Sequence, residues 1–243
     1  MNENTQLAPG EIHVWTIPLS APDHAVSQVR ALLSPDEADR MARFRFEHLQ
    51  RAYVLSRGAL RLLLGIYTGE APGSLRFSYG PKGKPALASA GPIRFNIAHS
   101  GDMGLFAFTL DCELGVDIER VRPVPEISKI ATSFFCAREA SDLMSLPSRD
   151  RERAFFLCWT RKEAYVKAVG NGLFLPLDSF RVTFLPDQPA RLMYLTEAWT
   201  LQHIEGAEGY VGAIAYKGEP RSLRMRAAPG IAALLTPAPT REN

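Results

Sequence analysis

The spacing of apolar residues alternates along the chain between the two-residue period of strands and the longer period of helices. Alternating or β-branched and aromatic stretches predict strands at 11–19, 75–79, 93–98, 103–110, 114–121, 180–185, 198–205, 210–216 and 222–227. Stretches rich in helix formers predict helices at 23–33, 34–67 (with a break near Phe46), 126–134, 137–144 and 151–170. Helices precede strands in both halves, which predicts an α+β fold with largely antiparallel sheets.

This order of elements divides the chain into three parts. We expect an N-terminal half at 1–112, a C-terminal half at 113–227 and a flexible tail at 228–243, where alanine and proline are frequent. The order of elements is loosely duplicated between the halves, although no sequence repeat is visible. Ser34, Pro35 and Glu37 have the pattern of a helix start, with an N-cap, a first-turn proline and a capping-box acid.

The helix at 151–170 carries the first candidate for chemistry. Glu163 and Lys167 are four residues apart and share one helix face, where a solvated ion pair is the commonest use of this spacing. In the strand at 114–121, Asp117 and Glu119 project from one face, as they would on an edge strand with two solvated acids. If the strand and the helix meet, three carboxylates and a lysine form a site that suits Mg²⁺ and phosphate.

Two further segments place polar groups at turns. Residues 80–85 (GPKGKP) predict a turn whose lysines and backbone amides can face an anion, although most such turns are only solvated loops. Residues 96–101 (NIAHSG) end a strand at His99, and a histidine in this place is more often structural. Six arginines in 34–67 form a solvated basic face, or one or two of them grip an anion: Arg40, Arg43, Arg45, Arg51, Arg57 and Arg61.

Composition narrows the classes of function. The hydrophobic content of 46% and the charged content of 22% are ordinary for a soluble globular protein. A formal net charge of +2 gives no support for binding to nucleic acid or to a membrane. Three separated cysteines fit reduced thiols, and the N-terminus has no signal-peptide pattern. We therefore expect a cytoplasmic protein.

Four segments together resemble the 4′-phosphopantetheinyl transferases of the surfactin-synthetase-activating (Sfp) type. In family order they are GKP at 83–85, FNIAHSG at 95–101, GVDIE at 115–119 and WTRKEAYVK at 159–167. Matches at 172–173 and 177–180 extend the last segment, so that the resemblance covers roughly residues 34–216. The last two segments together are specific, whereas GKP alone is weak.

The resemblance implies a fold and a reaction. Such enzymes are pseudo-dimers of two similar α/β halves, monomeric, with coenzyme A and Mg²⁺ in the cleft between the halves. They transfer the 4′-phosphopantetheine arm of coenzyme A to a serine of an apo acyl carrier or peptidyl carrier protein, and adenosine 3′,5′-bisphosphate is released. The implied pathways are the biosynthesis of fatty acids, polyketides and nonribosomal peptides. The nucleophile belongs to the carrier, and no nucleophile motif is evident in this chain.

The resemblance also implies roles for individual residues. The metal ligands fall on Asp117, Glu119 and Glu163, and Lys167 meets the pyrophosphate. Because a base must accept the serine proton, Glu163 is the best candidate for it. Arg40 is implied to grip the adenosine 3′-phosphate, and the other implied contacts to the nucleotide and its phosphates are Lys82, Gly83, Lys84, Ala98, His99 and Ser100.

Two departures from the family pattern are visible. The family has serine or threonine where this chain has Ala98, so that one hydroxyl contact to a phosphate is missing. An aspartate common after the Phe-x-Phe segment is absent, with Leu49 and Gln50 in that region, and we therefore assign no role to Arg51 or Arg57. Neither departure concerns the metal ligands.

Two other classes of protein use related features. A metal-dependent nuclease also combines acids with a lysine, but nucleic-acid binding usually requires a strongly basic surface. A non-catalytic module that binds coenzyme A or a carrier protein would share the binding residues without the chemistry. The four segments favour the transferase over both.

Overall fold

The computed structural model describes residues 6–81, 83–89, 91–170, 175–186, 188–193, 197–205 and 207–235. The strands are β1 (Glu11–Pro18), β2 (Phe77–Tyr79), β3 (Pro85–Leu87), β4 (Ile93–Ser100), β5 (Met103–Leu110), β6 (Leu114–Arg120), β7 (Arg181–Val182), β8 (Leu192–Met193), β9 (Trp199–Glu205), β10 (Tyr210–Lys217) and β11 (Ser222–Ala227). The α-helices are α1 (Asp23–Arg30), α2 (Pro35–Ala42), α3 (Glu47–Thr68), α4 (Ile127–Phe134), α5 (Ala137–Ser145), α6 (Ser148–Val169) and α7 (Ile231–Leu235). The α+β prediction is confirmed.

The two halves of the chain repeat one order of elements. In the first half β1 is followed by α1, α2, α3, the β2–β3 hairpin, β4 and β5; in the second β6 is followed by α4, α5, α6, the β7–β8 hairpin, β9 and β10. The antiparallel sheets repeat as well, in the order β1-β5-β4 and β6-β10-β9. Both α3 and α6 have 22 residues and end at a left-handed glycine, Gly69 and Gly170. The fold is therefore a pseudo-dimer.

Among the described residues, three hydrophobic clusters form the core. One lies between the first sheet and its helices and includes Phe106 and Leu63, and a second lies in the C-terminal half and includes Phe155 and Val166. The third joins the two halves, because residues of both sheets, among them Val14 and Val116, pack together in it. This shared cluster fixes the halves side by side, with β4 against β6.

The last described segment differs from the predicted tail. Strand β11 pairs in parallel with β1, so that residues 222–227 belong to the sheet of the N-terminal half. Beyond it, Ala228, Ile231 and Leu234 are buried in the first core cluster, and Ile231 begins helix α7. Residues 228–235 are thus packed against the protein rather than flexible, because a few apolar residues among the alanines and prolines face the core.

Smaller differences concern hairpins and helix ends. The break near Phe46 is confirmed, since α2 ends at Ala42 and α3 begins at Glu47. The predicted strand at 180–185 is shorter, at Arg181–Val182, and pairs with the unpredicted strand β8. The other strand that was not predicted, β3, pairs with β2 and carries Pro85 of the GKP segment. Two-residue strands are too short for a periodic signal.

Candidate active site

Direct contact between strand β6 and helix α6 brings the predicted acids together. A Cβ atom added to Gly115 would overlap the backbone oxygen of Ala164 and the backbone nitrogen of Ala168. Only glycine therefore permits this approach. Two residues further along β6, Asp117 meets Lys167 from the same helix face, and their Oδ1 and Nζ atoms are 2.7 Å apart.

Asp117 is a buried carboxylate that is only half satisfied. Its side chain belongs to a residue that is 6% exposed, and Oδ2 has no hydrogen-bond partner among the described residues. Burial raises the pKa of Asp117 to about 6, against the opposite effect of Lys167, and the charges of Glu119 and Glu163 raise it further. A second cation near Oδ2 would remove this penalty.

Glu119 is held by groups from both halves. The Ser100 hydroxyl, at the end of β4, donates to Glu119 Oε2 at 2.6 Å, and the guanidinium of Arg122 lies 3.2 Å from the same oxygen. The backbone N–H of Arg120 donates to Ser100 Oγ. The structure thus brings the predicted Ser100 to the predicted acid Glu119 across the junction of the halves.

Glu163 and His99 lie beside these groups. Burial raises the pKa of Glu163, Lys167 lowers it and Glu119 raises it, which shows that the three side chains share one electrostatic environment. Burial, followed by the charge of Lys167, lowers the pKa of His99. The shift favours the neutral form of the His99 ring near neutral pH.

The donor chemistry of these carboxylates fits Mg²⁺. The described residues contain no group of three or more His, Cys, Asp or Glu side chains that already converges as a metal cage. Lys167 takes the place of a cation on one oxygen of Asp117, while Oδ2 has no partner. Mg²⁺ usually keeps waters and binds phosphate oxygens beside one or two carboxylates, so that a closed protein cage is not required. The residues present therefore fit the ion.

A cavity of about 370 Å³ opens beside Lys167, the ion-pair partner of Asp117. Its lining comes from both halves: Arg40, Phe44, Tyr53, Ser56, Arg57, Gly83, Pro85, Ile97, Ala98, His99 and Lys167. An adjacent cavity of about 550 Å³ shares Arg40, Phe44 and Gly83 with it. The predicted residues Arg40, Gly83, Ala98, His99 and Lys167 therefore meet at one cleft that is rich in cations and suits a phosphorylated ligand.

Arg57 lines this cavity although the sequence analysis assigned it no role. It is 5% exposed, and its Nη1 atom has no hydrogen-bond partner among the described residues. Glu37 lies 3.5 Å from Nε and Tyr79 Oη lies 3.3 Å from Nη2. The sequence does contain one sign of a role for Arg57. Arg57 and Arg61 are four residues apart and interrupt an otherwise apolar helix face, and arginines on such a face must be buried with their guanidinium groups paired.

Two lysines of the GKP region differ from the rest of the predicted site. Lys82 lies outside the described residues. The side chain of Lys84 is not part of the cavity lined by Arg40 and His99, and its ammonium contacts the C-terminal half instead. Its predicted contact with the nucleotide stays a prediction.

A half-buried carboxylate cluster that adjoins a cationic cleft at the junction of two halves is the arrangement of an enzyme for phosphorylated substrates. Two family models match the chain, "4'-phosphopantetheinyl transferase superfamily" at residues 113–215 and "4'-phosphopantetheinyl transferase, N-terminal" at residues 20–110. The 4′-phosphopantetheinyl transferase HetI of Nostoc sp. is 37% identical over 88% of this chain and 91% of its own length. The chain belongs to the 4′-phosphopantetheinyl transferase family, and the resemblance to the Sfp type is confirmed.

Other relatives extend the comparison. The 4′-phosphopantetheinyl transferase Sfp of Bacillus subtilis is 31% identical over 65% of this chain and 69% of its own length. A solved holo-(acyl-carrier-protein) synthase from Bacillus anthracis covers 45% of this chain and 96% of its own chain, with a TM-score of 0.38 and 19% identity. None of the described helices has the length and hydrophobicity of a membrane span.

Proposed function

We propose that this enzyme transfers the 4′-phosphopantetheine arm of coenzyme A to a serine of an apo acyl carrier or peptidyl carrier protein, with Mg²⁺, and releases adenosine 3′,5′-bisphosphate. The observation that carries the proposal is the half-satisfied, buried carboxylate of Asp117, whose partner Lys167 lines the cationic cavity. Membership in the family supports the same reaction class.

Coenzyme A binding would use the cleft between the halves. Arg40 and Arg57 offer guanidinium groups to phosphates in the cavity, and Lys167 lies where the cavity meets the acids. Neutral His99 offers a ring N–H to a phosphate oxygen without adding charge. Ala98 has no hydroxyl, so these neighbouring groups carry the phosphate contacts.

Asp117, Glu119 and Glu163 would hold Mg²⁺, which when bound neutralises charge on the pyrophosphate and on its leaving oxygen. Lys167 contributes a second positive charge at the same place. When the pyrophosphate binds, part of the interaction of Lys167 with Asp117 is exchanged for an interaction with the phosphate oxygens. Since the ammonium of Lys167 is fixed between α6 and β6 before the reaction, little reorganisation of this group is needed as charge develops.

The attacking hydroxyl belongs to the carrier serine, whose proton needs an acceptor. Glu163 is suited to this role because burial raises its pKa above that of an ordinary carboxylate, which makes it a better base at neutral pH. The charge of Lys167, one helical turn away, opposes this rise in pKa and favours the ionised carboxylate. The carrier's phosphoester forms as the pyrophosphate bond of coenzyme A breaks.

The proposal also covers partners and surroundings. We propose a cytoplasmic monomer that binds neither nucleic acid nor membranes and that serves fatty-acid, polyketide or nonribosomal-peptide carriers. The small net charge supports the lack of a nucleic-acid partner.

Intact-protein mass spectrometry of an apo carrier tests the function. After incubation with the enzyme, coenzyme A and Mg²⁺, the carrier should gain the mass of one phosphopantetheine arm, and EDTA or Asp117→Asn should prevent the gain. Glu197→Gln, which only breaks an exposed ion pair with Lys217, is the matched control and should keep the activity. Absence of any gain on all three carrier types, from folded enzyme that binds coenzyme A, would contradict the proposal.

A further inference from the structure

Lys84 ends the turn of the β2–β3 hairpin, of which Gly80, Pro81, Gly83 and Lys84 are described, and its side chain crosses to the other half of the molecule. The ammonium lies 3.0 Å from Glu113 Oε2, 3.1 Å from the backbone oxygen of Leu114 and 3.4 Å from that of Ala168. A lysine ammonium has three N–H donors and no acceptor. All three donors therefore have acceptors within the protein, and none is left for a phosphate.

The acceptors belong to the two elements that carry the acids. Leu114 begins β6, three residues before Asp117, and Glu113 immediately precedes it; Ala168 lies in the last turn of α6, next to Lys167. A cation at the carboxyl end of a helix also interacts favourably with its unpaired carbonyl groups. Lys84 thus contacts both β6 and α6, the two elements that carry the acids.

The hairpin turn itself lies beside the two cavities that Arg40 lines, where we place the nucleotide of coenzyme A. Gly83, the neighbour of Lys84, lines both cavities beside Arg40, whereas Lys84 lines neither. The turn is closed by its own backbone, since Gly80 N–H donates to the Lys84 oxygen at 3.0 Å and Gly83 N–H donates to the Gly80 oxygen at 2.8 Å. A turn held internally in this way moves as a unit, and Lys84 determines where that unit lies.

We infer that Lys84 is a positioning residue that fixes the hairpin turn against β6 and α6, and that it does not bind the phosphates of coenzyme A. The inference rests on the proposed function, because it takes the cavity beside Gly83 as the coenzyme A site. It replaces the role that the resemblance implies for Lys84. The Lys84–Glu113 ion pair sets the distance between the nucleotide end of the cleft and the carboxylate end.

The direction in which Glu113→Gln changes the affinity for coenzyme A distinguishes a positioning role of Lys84 from direct binding of a phosphate. If Lys84 positions the turn, Glu113→Gln loosens the turn and weakens coenzyme A binding in the same direction as Lys84→Met. If Lys84 binds a phosphate directly, Glu113→Gln frees the ammonium from a competing carboxylate, and binding becomes tighter or stays unchanged. Glu113 is more than half exposed, so this variant should fold.

The experiment is isothermal titration of coenzyme A into the wild type, Lys84→Met, Glu113→Gln and the double variant. We expect Kd to rise about tenfold for Lys84→Met and about threefold for Glu113→Gln, with the double variant no weaker than Lys84→Met, as expected for two groups that act as one unit. In the transfer assay the KM for coenzyme A should rise while kcat changes less than twofold or so. Glu197→Gln should leave Kd at the wild-type value.

An unchanged or lower Kd for Glu113→Gln would overturn the inference, as would additive effects in the double variant. If Lys84→Met does not fold, the sign of the Glu113→Gln effect decides alone. Failure of the proposed function would look different: the wild type would then bind no coenzyme A, or would bind it without modifying any carrier.

Discussion

Arg61 and Lys162 are equivalent residues of the two halves, each fully buried and each paired at 2.7 Å with a glutamate that begins the preceding helix. The glutamates, Glu37 and Glu139, also accept the backbone N–H of their own helix caps. Arg61 donates to the backbone oxygens of residues 72 and 75, and Lys162 donates to those of residues 177 and 180. In each half, therefore, an equivalent buried ion pair connects the long helix to the helix before it and to the loop after it.

Removal of one partner from such a buried ion pair should strongly destabilise the folded protein. Glu139→Ala leaves Lys162 buried without its counter-ion, and we expect the free energy of unfolding to fall by about 3–5 kcal/mol. Urea denaturation measures the change. Arg138→Ala, which breaks an exposed ion pair on the same helix, should cost no more than about 1 kcal/mol. Equal losses for the two variants would show that the buried pair has no special weight.

Gly115→Ala should separate strand from helix. The added methyl group overlaps the backbone of α6, so that β6 must move and carry Asp117 away from Lys167. We expect transfer activity to fall at least about a hundredfold, since small displacements at a reacting centre have effects of this size. Gly209→Ala, where the added Cβ has open space around it, controls for the loss of a glycine although its positive φ adds strain. Full activity of Gly115→Ala would contradict the packing argument.

The pH dependence of stability should report on Asp117. Its pKa in the folded protein is about 6, above the ordinary 3.8, so the folded state holds its proton more tightly than the unfolded state. Stability is therefore lost as pH rises from about 4 through about 6. In EDTA, Asp117→Asn should lack this loss, so that the difference in stability between the variant and the wild type shifts in favour of the variant by up to about 3 kcal/mol as pH rises from below 4 to well above 6. A pH-independent difference between the two proteins would disprove the shift.

Mg²⁺ should stabilise the wild type and leave Asp117→Asn unaffected. At a concentration a hundred times its Kd, an ion that binds only the folded protein adds about 2.7 kcal/mol to the free energy of unfolding. Thermal melting with Mg²⁺ and then with excess EDTA measures the effect and its reversal. Equal stabilisation of both proteins would mean that the ion binds elsewhere.

Arg57→Met should weaken coenzyme A binding. The substitution removes a buried guanidinium from the cavity while Glu37 keeps its stronger contact with Arg61. We expect a rise in Kd of about tenfold or more, which corresponds to about 1.4 kcal/mol per tenfold step. Arg51→Met, which removes an exposed ion pair with Asp23, is the matched control. If both variants bind equally well, Arg57 has only a structural role.

Local sequence patterns were sufficient for most helices and strands and for the faces on which Asp117, Glu119, Glu163 and Lys167 lie. The periods of β6 and α6 place each acid on a defined face, and the resemblance supplies the pairing of the two elements. The boundary between the halves at residue 112 stays a prediction. Helix α7 was missed because short apolar spacing among alanines and prolines has little periodic signal.

The roles of long cationic side chains could not be predicted in this way. Arg57 and Lys84 have flexible stems, so that their guanidinium and ammonium groups reach partners that depend on the tertiary fold. The equivalence of Arg61 and Lys162 was hidden because the halves keep the charge and the geometry, whereas the residue types differ. Serine and cysteine, Ser34 and Cys136, stand at the matching helix caps for the same reason.

Strand β11 has a consequence for stoichiometry. It pairs in parallel with β1, the strand of the first half that corresponds to β6 in the second. His13 contacts Tyr67 as Gly115 contacts Ala168, so the positions of Asp117 and Glu119 correspond to Trp15 and Ile17, which are buried and carry no carboxylate. A duplicated fold thus retains a single set of acids, and a titration with coenzyme A should saturate at one equivalent per chain.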